Sequence, residues 1–193
     1  MFEAYYQNYK SEFLETLESL DFSMIQVIHR ELERARENDR QIFVLGNGGS
    51  AASASHWACD FDKGVNVGTS KRYRLLALTD NMPLVSAYGN DVDYNEIFVE
   101  QLKNFLNPED LVIGLSVSGD SENLVRALRF AQEQKACVIS LIGNREGRMK
   151  EVSDYALVIP SNNYGVVEDV HMYINHVISQ YVKTQNEQRI KQL

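Results

Sequence analysis

Cysteine is scarce in this chain, since only Cys59 and Cys137 occur among its 193 residues. Two cysteines cannot build the disulfide framework of a small secreted scaffold, and no CxxC pair is present to indicate a redox or metal motif. Each cysteine lies within a regular apolar pattern. We therefore expect both to be small core residues of a protein in a reducing cytoplasm.

Basic residues are also in short supply, with 19 lysines and arginines against 27 aspartates and glutamates and a net charge of -8. This balance argues against non-specific nucleic-acid binding. An anionic ligand would need local help from helix N-termini, hydroxyl groups or a metal. No apolar run approaches membrane-spanning length, and Met1–Ala4 lacks the basic start of a signal peptide. We expect a cytoplasmic protein that binds neither nucleic acid nor membrane.

Apolar residues make up 44% of the chain, which is enough for one domain over residues 1–193 with a sizeable core. Residues 2–38 are predicted to form a helical hairpin, broken near Asp21 and capped there by Asp21 or Ser23. Beyond it, apolar runs alternate with amphipathic segments. Strands are predicted at 42–45, 74–78, 111–115, 138–142 and 155–159, and helices at 51–61, 94–106, 122–134 and from about 167 onward. This alternation predicts an α/β fold, a three-layer αβα sandwich around an open parallel sheet.

Two loops rich in serine and glycine each follow a predicted strand and precede a predicted helix. The first loop is Gly46-Asn47-Gly48-Gly49-Ser50 and the second is Ser116-Val117-Ser118-Gly119-Asp120-Ser121. Glycine lets the backbone approach a ligand closely, and hydroxyls and N–H groups at a helix start suit a phosphate. Ligands of open parallel sheets bind at the carboxyl ends of strands, where both loops fall. Two ordinary turns with serine caps are the alternative.

Two predicted helices each carry a histidine and a carboxylate. His56 and Asp60 are four residues apart and share a helical face. Glu168 and His176 are eight apart, so at about 100° per residue they lie about 80° from each other around the axis. The four side chains could form an acid/base pair or a zinc-type site, and a solvated helix face is the alternative for each pair.

The first and last helices have distinctive apolar patterns. The first carries three tyrosines within five residues, which favours packing on another subunit, with packing on its own sheet as the alternative. In the last helix, His171 falls at the edge of the apolar stripe and is predicted to be a packing histidine. The predicted stripe comprises Val170, Ile174, Val177, Ile178 and Tyr181.

The two loops, the histidine that follows the first, the Gly89-Asn90-Asp91 segment and the final helix with His171 and His176 resemble the sugar isomerase (SIS) domain family. Within it, the chain is most similar to the phosphoheptose isomerases, which convert sedoheptulose 7-phosphate to a heptose 7-phosphate. The resemblance covers nearly the whole chain. It implies a five-stranded parallel sheet and a homotetramer with active sites at subunit interfaces.

The resemblance also implies a substrate site. Its serines that hold the sugar phosphate match Ser50, Ser116, Ser118 and Ser121. The full set of implied substrate-binding positions is Asn47, Gly48, Gly49, Ser50, Asn90, Asp91, Ser116, Val117, Ser118 and Ser121. Two of the family's residues are replaced here: a threonine of the second loop by Val117, and an aspartate before the last helix by Gly165.

The catalytic and metal positions follow from the same resemblance. The family's acid matches His176, its basic glutamate is replaced by Asp60, and a glutamine is replaced by Glu168. We therefore expect Asp60, His176 and Glu168 to be catalytic, and zinc to be held by His56, Asp60, Glu168 and His176. An empty site, with Asp60 or Glu168 as base and His176 as acid, is the alternative.

These observations favour an aldose–ketose isomerase that acts on a sugar phosphate through an enediol. One alternative is a non-catalytic SIS protein, such as the tetrameric partner of the replication initiator DnaA. The other is a related isomerase of a pentose or hexulose phosphate.

Overall fold

The computed structural model describes residues 1–66, 69–145 and 147–191. Its centre is a five-stranded sheet in the order β2-β1-β3-β4-β5, in which every neighbouring pair is parallel. The predicted α/β fold with a five-stranded parallel sheet is confirmed. The strands are β1 (Ile42–Gly46), β2 (Leu75–Ala77), β3 (Leu111–Ser116), β4 (Cys137–Gly143) and β5 (Tyr155–Ile159).

Helices cover both faces of this sheet, because alternate strand residues face opposite sides. Ile42 and Val44 belong to one apolar cluster, whereas Phe43 and Leu45 belong to the other. The first cluster includes residues of α2, α3 and α7, and the second includes residues of α5 and α6. The helices are α1 (Phe2–Glu18), α2 (Phe22–Glu37), α3 (Gly49–Cys59), α4 (Met82–Asp91), α5 (Val99–Phe105), α6 (Glu122–Glu133) and α7 (Tyr164–Lys191).

The direction in which successive strands are added across the sheet reverses between β1 and β3. From β1 the chain moves outward to β2, then returns to the other side of β1 to form β3. Such a reversal opens a crevice at the carboxyl ends of the two central strands. The first loop follows β1 and the second follows β3, so both loops border this crevice.

Two short irregular helices lie near the site. α3 runs directly into a π-helical turn over Asp60–Val65, and a 3₁₀ turn over Tyr94–Glu96 precedes α5. The predicted continuous helix over 94–106 is therefore wrong in its first part. At the N-terminal break, the Asp21 carboxylate accepts hydrogen bonds from the N–H groups of Ser23 (2.9 Å) and Met24 (3.4 Å). This confirms Asp21 as the cap of α2.

No helix was predicted at α4, because the sequence Gly89-Asn90-Asp91 is typical of a loop. These residues are instead the last turn of α4. The Asn81 side chain accepts a hydrogen bond from the Leu84 N–H at 3.2 Å, and Pro83 occupies the first turn. Both features start a helix, although asparagine and glycine at its two ends are typical of loops.

The cysteine prediction was wrong for one residue. Cys59 is exposed at the end of α3, and Cys137 is half-buried on β4. Across the described part of the chain, no helix is both long enough and apolar enough to cross a bilayer.

Candidate active site

The two serine loops are joined by a pair of asparagine side chains. Asn47 in the first loop and Asn123 in the first turn of α6 each donate an amide hydrogen bond to the other, both at 2.9 Å. The Tyr94 hydroxyl donates a further hydrogen bond to the side-chain amide oxygen of Asn47 (Oδ1) at 3.3 Å. The sequence analysis singled out neither Asn123 nor Tyr94. A usable signal for Asn123 was its position four residues before the buried Ala127, which places an amide on the apolar stripe of α6.

The serine hydroxyls of the second loop shape its backbone. Ser116 Oγ accepts a hydrogen bond from the Gly119 N–H at 3.1 Å, and Ser118 Oγ accepts one from the Asp120 N–H at 3.2 Å. A hydroxyl also has one O–H to donate. The two Oγ atoms lie 3.4 Å apart, so one can donate to the other while the second O–H remains for a ligand.

The second loop ends at the N-terminus of α6. Ser121 is the N-cap residue, and its side chain makes no capping hydrogen bond. The backbone N–H groups of a first helical turn lack partners within the helix and carry partial positive charge. Gly119 has φ of 65°, a left-handed conformation that favours glycine. The loop therefore presents free hydroxyl and N–H donors toward the crevice.

An arginine cluster lies beside the same loop. The Arg148 Nε donates to Asp120 at 2.6 Å and its Nη1 donates to Glu122 at 2.8 Å. Arg126 pairs with Glu122 at 2.7 Å and also with Glu96. The hydrogen bond from Arg148 lowers the pKa of Asp120 below its usual range. These two arginines are therefore neutralised by the three carboxylates Asp120, Glu122 and Glu96, and Arg148 ties its own segment to the second loop.

Glu168 lies against the first loop. Gly49 is the first residue of α3, and the Glu168 carboxylate occupies the space that a Cβ atom at this position would need. Burial raises the pKa of Glu168 above its ordinary value, and the neighbouring Asp169 adds a smaller repulsion. Asp169 itself accepts a hydrogen bond from the Tyr9 hydroxyl at 2.6 Å. Glu168 is therefore a carboxylate with increased proton affinity at the start of α3.

His56, Asp60 and His176 form a compact cluster at the other end of α3. The two Nε2 atoms of the histidines lie 3.3 Å apart. Asp60 Oδ2 lies 3.4 Å from the Nε2 of His56 and 3.7 Å from that of His176. One ligand atom from each residue thus falls within 4.8 Å of the others, which makes this group capable of holding a metal ion. Both imidazoles are about half exposed, at 50% and 44% of the side chain.

Glu168 does not join this cluster within one chain. Eight residues separate it from His176, which corresponds to about 12 Å along α7 at a rise of 1.5 Å per residue. Among the described residues, the candidate metal-binding group contains only the two histidines and Asp60. The structure thus brings together three of the four residues expected to hold zinc.

The other predicted substrate-binding residues differ in how far their side chains are buried. Val117 is buried, with only 7% of its surface exposed, so its side chain belongs to the core. Ser50 is also buried, in the first turn of α3. Asn90 and Asp91 are exposed at the end of α4, where the Asn90 amide donates to the Asp91 carboxylate at 2.7 Å. Ser116 is as buried as Ser50, whereas Ser118 and Ser121 are partly exposed, so these last two serines are the ones open to a ligand.

His171 is fully buried, which confirms its predicted packing role. Its Nε2 lies 3.1 Å from the carbonyl oxygen of Leu141. A carbonyl only accepts, so Nε2 carries the proton, and Nδ1 has no hydrogen-bond partner among the described residues. Burial lowers the pKa of His171 to about 4, although the hydrogen bond to Leu141 opposes the shift.

This pKa predicts an acid-sensitive fold. The unfolded histidine takes up a proton near its ordinary pKa of 6.5, whereas the folded one does so only near pH 4. The free energy of unfolding is therefore expected to fall as pH drops from 6.5 to 4, by on the order of 3 kcal/mol from this group. Urea unfolding at several pH values should show a shallower loss in His171→Gln, which keeps an N–H donor but does not titrate. Parallel pH curves for the two proteins would contradict the assignment.

Comparisons with known proteins identify relatives along most of this chain. A family model described as SIS domain matches residues 4–143. The chain is 32% identical over 177 residues to a phosphoheptose isomerase of Helicobacter pylori (strain P12), covering 88% of each chain. It is 34% identical over 182 residues to that of Aliarcobacter butzleri (strain RM4018), covering 89% of this chain and 93% of the relative. The solved phosphoheptose isomerase GmhA from Neisseria gonorrhoeae superposes with a TM-score of 0.84 at 25% identity, covering 95% and 97%.

Proposed function

Because the chain belongs to the SIS domain family and is a sugar-phosphate isomerase, we propose that it converts sedoheptulose 7-phosphate to a heptose 7-phosphate through an enediol. The observation that carries this proposal is the pairing of a hydroxyl-rich anion cradle with a histidine–carboxylate cluster on one fold. A non-catalytic SIS protein has no need of the cluster. The related pentose and hexulose phosphate isomerases remain the competing substrate class.

The phosphate is proposed to bind at the second loop. Support comes from the free O–H of the Ser116–Ser118 pair, the uncommitted Ser121 side chain and the N-terminus of α6. Glu168 already places a carboxylate at the N-terminus of α3. Asp120 and Glu122 also place carboxylates beside the second loop, but both are paired with Arg148, whereas none of the described ion pairs involves Glu168. The unpaired Glu168 carboxylate would repel a phosphate, so the first loop is assigned to the sugar.

Removing serine hydroxyls from the cradle is expected to weaken binding. Each of Ser118→Ala and Ser121→Ala should cost about 0.5–1.5 kcal/mol of sugar-phosphate binding free energy, and more where the phosphate charge strengthens the bond. Calorimetric titration of both variants and their double variant measures the loss. Ser19→Ala is a matched control, because that hydroxyl bonds to the Glu15 carbonyl oxygen at the end of α1. Unchanged affinity in the double variant would reject the cradle.

Zinc is proposed to bind His56, Asp60 and His176. With zinc–ligand bonds of 2.0–2.1 Å, neighbouring ligands of a tetrahedral site lie about 3.3 Å apart. The observed separations of 3.3, 3.4 and 3.7 Å are close to this value. Catalytic zinc sites commonly use three protein ligands and leave the fourth position open, and a bound zinc supplies polarisation of the substrate carbonyl.

Glu168 is proposed to be the base. It takes a proton from C1 of the ketose and returns it to C2, while the hydroxyl proton moves from O1 to O2. Among the four predicted residues it is the one left outside the metal-binding group, and burial increases its proton affinity. A carboxylate with a raised pKa is the stronger base.

We propose that active sites are shared between chains. About 12 Å of axial rise along α7 separates Glu168, which lies against the first loop, from His176, and this separation supports a site built from two chains. A neighbouring chain that supplies its cluster would complete the site. Apolar side chains left exposed on α1, α2 and α7 support such an interface: Phe2, Tyr5, Tyr6, Phe22, Tyr173, Val177 and Tyr181. Val177 and Tyr181 had been predicted to belong to the buried stripe, which instead continues through Val182.

The proposed homotetramer predicts a mass in solution of four times the 22.0 kDa chain. Light scattering at micromolar concentration measures it. Val177→Arg, which places a charge in the exposed apolar groove between α2 and α7, should lower the mass. Phe105→Arg is the matched control, because Phe105 is similarly exposed but lies at the end of α5. A monomer mass for the unmodified protein would overturn both the tetramer and the shared site.

The substrate assignment is tested with a panel of ketose phosphates, each assayed with chelator and with added zinc. Turnover greatest for sedoheptulose 7-phosphate supports the proposal. Greater turnover of a pentose or hexulose phosphate would instead assign the enzyme to the pentose or hexulose phosphate isomerases.

A further inference from the structure

Asn175 is a buried amide directly behind the histidine–carboxylate cluster. Its side chain has no exposed surface, and its Nδ2 donates to Asp60 Oδ2 at 2.7 Å. The same oxygen faces both histidines, at 3.4 and 3.7 Å. The hydrogen bond therefore acts on the one Asp60 atom that belongs to the candidate metal site.

The orientation of this amide follows from its partner. A carboxylate oxygen only accepts, so the amide nitrogen, and not the amide oxygen, must face Asp60. Asn175 Oδ1 has no hydrogen-bond partner within the described ranges. A buried amide that is only half satisfied costs free energy at a position where an apolar residue would pack without that cost. Its one hydrogen bond goes to Asp60.

Asp60 lies at a junction between two kinds of helix. Asp60 begins the π-helical turn that follows α3, where the regular hydrogen-bond ladder changes. Its side chain is 27% exposed, and its buried hydrogen-bond donor is the Asn175 amide. α7 packs along this turn and brings Asn175 to it.

We propose that Asn175 is a positioning residue, which holds Asp60 Oδ2 toward His56 and His176 and so prepares the cluster for a divalent cation. The inference rests on the proposed function for the identity of the cation, but the placement of Asp60 can be tested without it. Partners that orient metal ligands typically change metal affinity about 10- to 100-fold when they are replaced.

Asn175→Leu keeps the approximate volume and removes the donor, and Asn175→Ala removes the donor without adding bulk if leucine does not fit. Asn186→Leu is the matched control. Asn186 is another buried asparagine of α7, and it donates to the Val65 carbonyl oxygen at 2.9 Å instead of to Asp60. Thermal unfolding of all variants separates general destabilisation from an effect on the cluster.

Two readouts decide the proposal. Crystal structures of the metal-free proteins should show the Asp60 carboxylate rotated away from the histidines in the Asn175 variants and unchanged in Asn186→Leu. Zinc affinity, measured by competition with a chromogenic chelator, should fall about 10- to 100-fold in the Asn175 variants only. An unmoved Asp60 or unchanged zinc affinity would overturn the positioning role. If the unmodified protein binds no zinc, the metal assignment fails, and the crystal structures still decide whether Asn175 places Asp60.

Discussion

Glu168→Gln is expected to lower kcat by about 10²- to 10⁴-fold, the usual contribution of a positioned acid or base. The variant keeps the size and polarity of the side chain but cannot take a proton. Asp60 carries the other carboxylate expected to act as base, but its Oδ2 is occupied by Asn175 and faces two imidazoles. Glu168 therefore has no substitute within the site. Steady-state isomerisation assays of the purified variant measure the effect.

Asp169→Asn is the control for this experiment. It alters the adjacent carboxylate, which is exposed and bound to the Tyr9 hydroxyl, so kcat should change little. The shared-site proposal adds a stricter test. Mixing inactive Glu168→Gln with inactive His176→Gln under conditions that exchange subunits should restore part of the activity, because some interfaces then combine two unmodified residues. Full activity of Glu168→Gln alone would exclude it as the base.

His56→Ala is expected to reduce bound zinc from about one ion per chain to nearly none, because it removes one of three proposed ligands. Glu168→Gln should retain its zinc, because the carboxylate lies outside the metal-binding group. Elemental analysis of proteins purified without chelator measures both. His29→Ala is the histidine control, since His29 stacks edge-on against Tyr181 and lies outside the cluster.

The zinc prediction also has a functional counterpart. Chelator-treated protein should lose turnover, and added zinc should restore it. Full activity in demonstrably metal-free protein would leave the metal-free acid/base alternative, with Asp60 or Glu168 as base and His176 as acid. Loss of zinc in Glu168→Gln would instead indicate that Glu168 is a zinc ligand, as the sequence resemblance implied.

The sheet was the most predictable part of this protein. Apolar runs followed by Gly46 and by Ser116 mark strand ends clearly, because buried parallel strands need continuous hydrophobic sequence. α4 was not predictable by the same logic. Its residues are exposed or half-buried, and the asparagine and glycine at its two ends are typical of loops.

The candidate site was predictable where a helix repeat places residues together, as with His56 and Asp60. It was not predictable where distant segments meet. Asn123 and Asn175 each carry an amide on an otherwise apolar helical stripe, and only the tertiary structure shows their partners. Glu168 and His176 are separated by the axial rise along α7. The sequence prediction considered only the angle between them around the helix axis, and that angle contains no information on distance along the axis.

The reciprocal asparagine pair has a consequence for ligand selection. Two amide hydrogen bonds of 2.9 Å join the segments that border the crevice, and Asn123 is only 2% exposed. Neither segment can swing outward without breaking both bonds inside the protein. The width of the crevice is thus preorganised, and a ligand does not spend binding free energy on ordering its walls. Selection among sugar phosphates then becomes a matter of length and hydroxyl placement within a slot of fixed width.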